Sequence, residues 1–487
     1  MTTLALLGQA GISAIGIERE PSVWPHARAV HFDGEALRIL QSLNLAERAM
    51  TRCKPMAEFR MENEANEILF DHQTGQLGSQ GWHNDVMFHQ PDMETLLRSE
   101  IEQLPTVSLR AGTTLTRLER GSDAVRCVVT DGEGSEQTLT ARWVIGADGA
   151  NSTVRRMLDI RTESLGSDDP WIVVDGLLEG EPGISGDMVF LGHHSRPALW
   201  GRLPGNRVRM EFKVMPGDDP EEVVTPAAIE RLSHGVLPVG KFTPDRVAIY
   251  TFRARVAARW RADNVFLAGD AAHQAPPLFG QGLCAGMRDA ANLVWKLSLV
   301  SRGEAGPELL DTYESERLPH ARYWVEQAAT MAGILQTTDT ETAAQRDAYL
   351  RANPHASIPP SPALGPGLHT GDSNDLAGRL SVQPVLPDGT RLDDLVGSRF
   401  LVAAPDEFVA ALPPELQAAL TEDGNTVVLT DSSISAELLT AVNRRAAVLR
   451  PDRYVLGAAD THDELAKLLE LIPTVKSAPV ASASPLD

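Results

Sequence analysis

The chain has 487 residues, 43% of them hydrophobic and 23% charged, which is enough for two or three domains with a large core and excludes a wholly disordered protein. A formal net charge of −22 repels phosphate backbones and argues against nucleic acid as a partner; its plainest meaning is solubility. The three cysteines, Cys53, Cys127 and Cys284, are too scattered for a disulfide framework or a zinc site, so no metal is expected and a reducing compartment is. No apolar run reaches membrane-spanning length and no signal peptide opens the chain. The expectation is a soluble, cytoplasmic protein without membrane contact.

Residues 1–10 predict a helix already under way, with Leu4, Leu6 and Leu7 on its apolar side and Gly11 at the left-handed cap position. Residues 12–17 predict a short strand that ends in Glu18. Helix then strand is the second half of a βαβ unit, whose first strand would precede residue 1. Two apolar runs then end in Gly and Asp before a helix: Arg142 to Gly149, and Asn264 to Asp270. Buried parallel strands with ligand loops at their C-terminal ends have this pattern. Between them, residues 164–250 alternate apolar and polar; after the turn Pro204-Gly205-Asn206, residues 207–214 do so strictly. This predicts a mostly antiparallel sheet inserted into an α/β domain. Residues 318–350 look helical, and a Pro-, Gly-, Ser- and Asn-rich linker follows. The expected organisation is a discontinuous α/β domain (1–163 and 251–350), an inserted sheet (164–250), a linker (351–375), a second α/β domain (376–472) and a frayed tail (473–487).

Three motifs carry chemistry. A carboxylate at Glu18 suits both ribose hydroxyls of a dinucleotide's adenosine half, although taken alone a solvated acid within Glu18-Arg19-Glu20 is the plainer reading. The glycine-rich phosphate loop belongs roughly 20 residues earlier, ahead of Met1. A gene start upstream is the expectation, and a true truncation the alternative. In Asp148-Gly149-Ala150-Asn151-Ser152-Thr153-Val154-Arg155, Gly149 permits a sharp turn, Ser152 suits a helix start and Arg155 adds positive charge; a plain capped helix is the other reading. The third motif runs Gly269-Asp270-Ala271-Ala272-His273, Pro276-Pro277, Gly280-Gln281-Gly282, then Asp289, Asn292 and Trp295-Lys296. Asp270 ends a strand where a ligand hydroxyl binds. Gly280 and Gly282 let a flat ring approach the backbone, and the helix starting there aims its free N–H groups at an anionic ring edge.

From residue 1 to about 330 the chain resembles the single-component FAD-dependent aromatic hydroxylases, the p-hydroxybenzoate hydroxylase-like family, and within it the 3-(3-hydroxyphenyl)propionate hydroxylases. The Asp148-Gly149 and Gly269-Asp270 motifs carry the resemblance, with Pro25-His26-Ala27-Arg28-Ala29, Gln90-Pro91, the run Met287 to Leu297 and the run Leu310 to Arg317. The tail, through Arg450-Pro451-Asp452-Arg453-Tyr454-Val455, resembles the thioredoxin-like domain of such enzymes. It has no cysteine pair and so no redox role of its own.

The resemblance implies a Rossmann-like FAD domain that lacks its first strand and Gly-x-Gly-x-x-Gly loop. It implies hydroxylation of a phenolic ring with O2 and NADH or NADPH through a hydroperoxide at flavin C4a. Glu18 would hold the adenosine ribose, and Arg28 and Gln90 the flavin chain. Asp148, Gly149 and Arg155 would serve the dinucleotide groove and the nicotinamide donor. Gly269 and Asp270 would hold the ribityl chain, Gly280, Gln281 and Gly282 would face the ring, and Pro276 and Pro277 would form the wall where substrate meets it. His273 is a candidate for a proton relay, with His193 and His194 as rivals. Arg209 is the choice for a substrate carboxylate, although a solvated strand face shared with Arg207 is the other reading. The partners expected are a small aromatic substrate, O2 and NAD(P)H; a homodimer is left open. Rival functions are a flavin monooxygenase acting on a polyketide or other non-phenolic substrate, and an inactive remnant that holds no FAD.

Overall fold

A computed structural model of the chain describes residues 1–180, 186–234, 241–277, 280–353, 360–370 and 376–476. Most of the predicted tail (477–487) and much of the linker (354–359 and 371–375) lie outside these residues.

Helix α1 (Thr2–Gln9) buries Leu4 and Leu7 and closes on Gly11, whose φ is +73°. The N–H of Ile12 donates back to the carbonyl of Leu7 at 2.9 Å. That bond belongs to the helix cap, which is why strand β1 (Ala14–Glu18) starts two residues later than the apolar run suggests. Strands β2 (Glu58–Glu62) and β3 (Ile68–Gln73) follow, then helix α2 (Gln90–Ile101) and strand β4 (Val107–Ala111), which pairs in parallel with β1 from Ala14↔Val107 to Glu18↔Ala111. Next come β5 (Val144–Gly146) and the short helix α3 (Thr153–Met157).

The inserted sheet is β6 (Asp169–Glu179), β7 (Met188–Leu191), β8 (Ala198–Arg202), β9 (Arg207–Lys213) and β10 (Lys241–Phe252). Its seven strands run in the order β10-β6-β9-β8-β7-β2-β3. The sheet is therefore wider than residues 164–250. The outer edge of β7 accepts β2 in parallel, and β3 hairpins onto β2, so residues 58–73 leave the first segment to complete it. One face of β9 (Val208, Met210, Phe212) packs with Ile229 in an apolar cluster; the other carries Arg207, Arg209, Glu211 and Lys213.

Strand β11 (Val265–Leu267) pairs in parallel with β5 and leads to helix α4 (Gln281–Arg302), then α5 (Asp311–Leu335). The core between them is built on Trp260, Phe266, Leu267, Leu293 and Tyr313, all buried. The C-terminal unit has β12 (Phe400–Ala404), β13 (Thr426–Thr430), β14 (Ala446–Leu449) and β15 (Val455–Ala459), ordered β13-β12-β14-β15. The β12–β13 pair is parallel and the other two are antiparallel, the thioredoxin-like arrangement of a βαβ half and a hairpin half. The predicted frayed tail begins later than residue 473. Pro473–Lys476 is a helical turn in which Val475 is buried and Thr474 donates to Asp423.

Buried charge locks this unit to α4 and α5. The carboxylate of Glu316 accepts two hydrogen bonds from Arg450, both 2.8 Å, one from Lys296 (2.6 Å), one from Asn292 (2.9 Å) and one from the N–H of Leu368 (2.7 Å). The side chains of Glu316, Lys296 and Arg450 have no solvent exposure. Burial pulls Lys296 down to about 8, against the opposing pull of Glu316. Nearby, the hydroxyl of Tyr454 donates to Glu35 at 2.9 Å, and Glu35 also accepts from Arg288 on α4. Among the described residues no helix is long and apolar enough to cross a membrane, and no His, Cys, Asp and Glu cluster suits a metal ion.

Candidate active site

The turn after β11 is shaped by Gly269, with φ at +60°. Its N–H donates to Asp289 of α4 at 2.9 Å. The same carboxylate oxygen lies 2.7 Å from Nε2 of His273, and the other accepts Nε of Arg317 at 3.0 Å. Burial acts to raise Asp289, but His273 and Arg317 outweigh it and hold the carboxyl below its usual range. His273 is buried and stacked on Trp260, with 5.3 Å between ring centroids. Its Nε2 is engaged by Asp289 beneath the turn. Of its rivals, His194 pairs with Glu64 at 2.5 Å on the outer part of the sheet.

Asp270 is different. It keeps solvent-accessible surface, yet protein crowds it enough that desolvation raises its carboxyl, against the positive charge of His273 and Arg28. It makes no hydrogen bond or ion pair among the described residues.

Helix α4 starts at Gly280, which has φ +62° and supplies no side-chain cap. A Cβ there would lie 2.3 Å from Nδ1 of His31. Two residues on, a Cβ on Gly282 would meet nothing within 4 Å among the described residues. The side-chain oxygen of Gln281 accepts from Arg288 at 2.8 Å, leaving its backbone to face a ligand. Pro276 is buried and Pro277 exposed on the approach to this helix.

The Asp148 carboxylate turns inward onto its own helix. It accepts from Ser152 Oγ (2.5 Å) and from the N–H groups of Thr153 (2.6 Å) and Val154 (3.0 Å). Ser152 in turn accepts from the N–H of Arg155 at 2.9 Å. Asp148 is thus engaged in capping α3 rather than offered to the dinucleotide groove. Gly149, with φ +79°, has open space where its Cβ would be. Arg155 staples two loops together, donating to the carbonyls of Ala271 (2.7 Å) and Ala150 (2.8 Å).

A third loop is strapped into place. Gln90, at the start of α2, accepts the N–H groups of Arg28 (2.8 Å) and Ala29 (2.9 Å). From the sheet, Arg209 donates to the carbonyls of Ala27 (2.6 Å) and Arg28 (3.1 Å), and Arg246 donates to Ala27 (2.6 Å). Arg209 also makes a bidentate pair with Asp175, at 2.7 and 2.9 Å. It is 3% exposed. Neither reading of Arg209 therefore holds: its face is covered, and its donors serve Asp175 and the loop instead of a substrate carboxylate. Loop residues 27 and 28, remote in sequence, provide the cover. Gln90 likewise holds the loop and not the cofactor directly. The exposed Arg28 side chain has one contact among those seen, the ring of Trp24 at 5.8 Å, and its charge reaches Asp270. Arg209→Ala is expected to lower the unfolding free energy by about 2 kcal/mol, since Asp175 keeps Arg246 at 3.5 Å. Urea unfolding measures this, and wild-type stability would show the strap to be dispensable.

Glu18 stands apart from these loops, at the end of β1. One carboxylate oxygen accepts the N–H of Glu20 at 2.9 Å and the other takes no protein donor among the described residues. Sequence reasoning missed Asp175 and Arg246; Asp175 sits in an apolar strand and gave no local sign.

An unpartnered carboxylate at Asp270, open backbone at Gly149 and Gly282, and the uncapped start of a 22-residue helix fit a flat ring carrying a hydroxylated chain. Comparison with known proteins agrees. Residues 1–328 match the family model described as FAD binding domain. The chain belongs to this family. FAD is its cofactor, and it is a flavin-dependent monooxygenase. It is similar to a probable NADH-specific resorcinol 4-hydroxylase of Rhodococcus jostii (strain RHA1), 32% identical over 506 residues that cover 100% of this chain and 94% of the relative. It is also similar to a 3-(3-hydroxy-phenyl)propionate/3-hydroxycinnamic acid hydroxylase of Burkholderia cenocepacia (strain HI2424), 32% identical over 94% of this chain and 84% of the relative. Among solved structures, the flavin-dependent monooxygenase PieE in complex with FAD and substrate superposes with a TM-score of 0.82 at 21% identity, covering 98% of this chain and 97% of the other. Aklavinone-11 hydroxylase with FAD and aklavinone gives 0.79 at 23%, covering 96% of each chain. At these identities the structures speak to the fold alone.

Proposed function

We propose that this flavoprotein hydroxylates a small phenolic ring, using O2 and NADH as the nicotinamide donor. The observation that carries the reading is the full-length similarity to a resorcinol hydroxylase together with an intact ring cradle at Asp270 and Gly280 to Gly282. Bound FAD supplies the redox and oxygen chemistry, accepting hydride and passing one oxygen atom to an electron-rich ring.

The chain's own groups position and exclude. Asp270 would accept hydrogen bonds from the ribityl hydroxyls, and Glu18 from the adenosine ribose. The first-turn N–H groups of α4 would favour negative charge on a ring held there, and exposed Arg28 would add positive charge. Pro276 and Pro277 wall the substrate side. Arg155 acts by fixing the loops that carry Asp148 and Asp270, so its part in nicotinamide binding is indirect. Arg209 holds the Arg28 loop, so its loss is expected to change KM for acidic and neutral phenols alike.

The test is to reconstitute the purified chain with FAD and follow substrate-stimulated NADH oxidation, with product analysis, across a panel of phenols and non-phenolic polycyclic ketones. Resorcinol-like and 3-hydroxyphenyl acids are expected to stimulate oxidation at least tenfold with a hydroxylated product. Stimulation by the polycyclic ketones alone would replace the phenolic reading with a polyketide one. A protein that stays colourless with FAD would end both.

A further inference from the structure

A buried chain of hydrogen bonds reaches the first turn of α4 from the C-terminal unit. Arg288 follows Gln281 by about two helical turns, so the two share a face of α4. Long side chains on a helix point back toward its N-terminus. The Arg288 guanidinium does so, and its Nη1 donates to Oε1 of Gln281 at 2.8 Å. Its other donors go to two acids at the start of the helix Gly34–Ser42: Nη2 to Asp33, and Nε to Oε2 of Glu35 at 2.5 Å. Glu35 carries the chain onward. Its second oxygen, Oε1, accepts the hydroxyl of Tyr454 at 2.9 Å and has no other donor among the described residues. Arg288, Glu35 and Tyr454 are 5%, 6% and 2% exposed.

Two carboxylates thus compete for one guanidinium. The fork can serve Gln281 only while Glu35 is satisfied by a single N–H of Arg288. The Tyr454 hydroxyl supplies the second donor that makes this division possible. Burial and the charge of Glu35 push the Tyr454 phenol well up, so the hydroxyl keeps its proton and remains the donor. His320 of α5 packs edge-on against the same ring, with 6.1 Å between centroids, so the ring has support apart from its hydroxyl.

We propose that Tyr454 is a positioning residue for the flavin. Through Glu35 and Arg288, its hydroxyl fixes Gln281 and with it the first-turn N–H groups of α4. This rests on the ring lying at the start of α4 and not on the phenolic reading. It gives the C-terminal unit a part in the flavin site that needs no cysteine pair. Without the hydroxyl, Oε1 of Glu35 is a buried acceptor lacking a donor. The Arg288 fork then turns toward it, Gln281 loses its donor and the first turn relaxes.

The experiment uses the full chain reconstituted with FAD and compares Tyr454→Phe, Gln281→Met and the double variant. FAD affinity is read by fluorescence titration, the surroundings of the ring by visible circular dichroism of the bound flavin, and folding by the thermal midpoint of the apoprotein. Tyr454→Phe is expected to bind FAD about fivefold to tenfold more weakly, with altered flavin dichroism. Gln281→Met is expected to alter the dichroism in the same way. The double variant is expected to go no further than Gln281→Met alone, because both changes break one chain. A hydroxyl that only helps the fold would instead lower the apoprotein midpoint, leave the dichroism as in wild type and add its effect on affinity to that of Gln281→Met. That result overturns the assignment. Arg288→Lys keeps the charge but cannot span Glu35 and Gln281 together; it takes the place of Gln281→Met in the comparison should that variant hold no flavin. Unchanged affinity and dichroism in Gln281→Met would remove the ring from this turn, and this inference with it. An altered Gln281→Met beside an unaltered Tyr454→Phe overturns this inference alone.

Discussion

Glu316→Gln is expected to destabilise the protein by about 3–5 kcal/mol, because it removes the charge of the carboxylate bonded to both Arg450 and Lys296 and leaves these two buried cations with Asp452 as the remaining carboxylate beside them. The thermal midpoint should fall by at least ~5 °C, and bound flavin should leak as α4 loosens, since Lys296 and Asn292 belong to the helix whose start faces the ring. Calorimetry and flavin release on dilution measure the two effects. Arg445→Ala, at the exposed pair with Glu407, is the comparison and should stay within about 0.5 kcal/mol of wild type. Equal behaviour of the two variants would show the buried network to be unimportant. The pH dependence has a definite sign. Burial acts to raise Glu316, but Arg450 and Lys296 outweigh it and hold the carboxyl well below the usual 4.5. A depressed carboxylate contributes its full stability above pH 4.5 and loses it progressively as pH falls toward the folded value. The wild type should therefore weaken in acid more steeply than the Gln variant.

Gly280→Ala should weaken FAD binding at least tenfold. An L-residue at φ +62° carries a steric cost of roughly 1–2 kcal/mol. The new methyl would also lie 2.3 Å from the His31 ring, which cannot swing away freely because Nε2 sits 2.7 Å from Asp85. The start of α4 must shift, and with it the N–H groups aimed at the ring. Gly282→Ala separates the two effects. Among the described residues its methyl meets no protein atom within 4 Å, so stability should hold while FAD binds more weakly through lost ring space. Fluorescence titration of apoprotein with FAD gives both affinities. Tight binding by both variants would mean that the ring does not lie against this helix start.

The elements around the two Gly and Asp turns were legible because each combines a local apolar run with a turn that only glycine makes easily. The capping contacts of Asp148 follow one of the two readings its motif allowed, and the cue was local: an acid ahead of Ser152-Thr153 is a helix-start signal. Alternation along β9 showed that Arg207, Arg209 and Glu211 share a face. It could not show which face is covered, since the cover at Arg209 is loop 27–28, some 180 residues away in sequence. Strands β2 and β3 were missed for the opposite reason. Glu58-Phe59-Arg60-Met61-Glu62 alternates plainly, but nothing local says that its partner is β7. The charged contacts of the C-terminal unit join residues 134 and 419 apart, a pairing that no local pattern encodes.

That separation sets an order of events during synthesis. Arg450 leaves the ribosome 134 residues after Glu316, and at roughly 5–20 residues per second the delay is on the order of ten seconds. Throughout it, the nascent chain already holds every glycine of the ring cradle but not the guanidinium that closes the seat of α4. A chain whose synthesis has reached only the linker therefore has the cradle residues without the clamp behind α4.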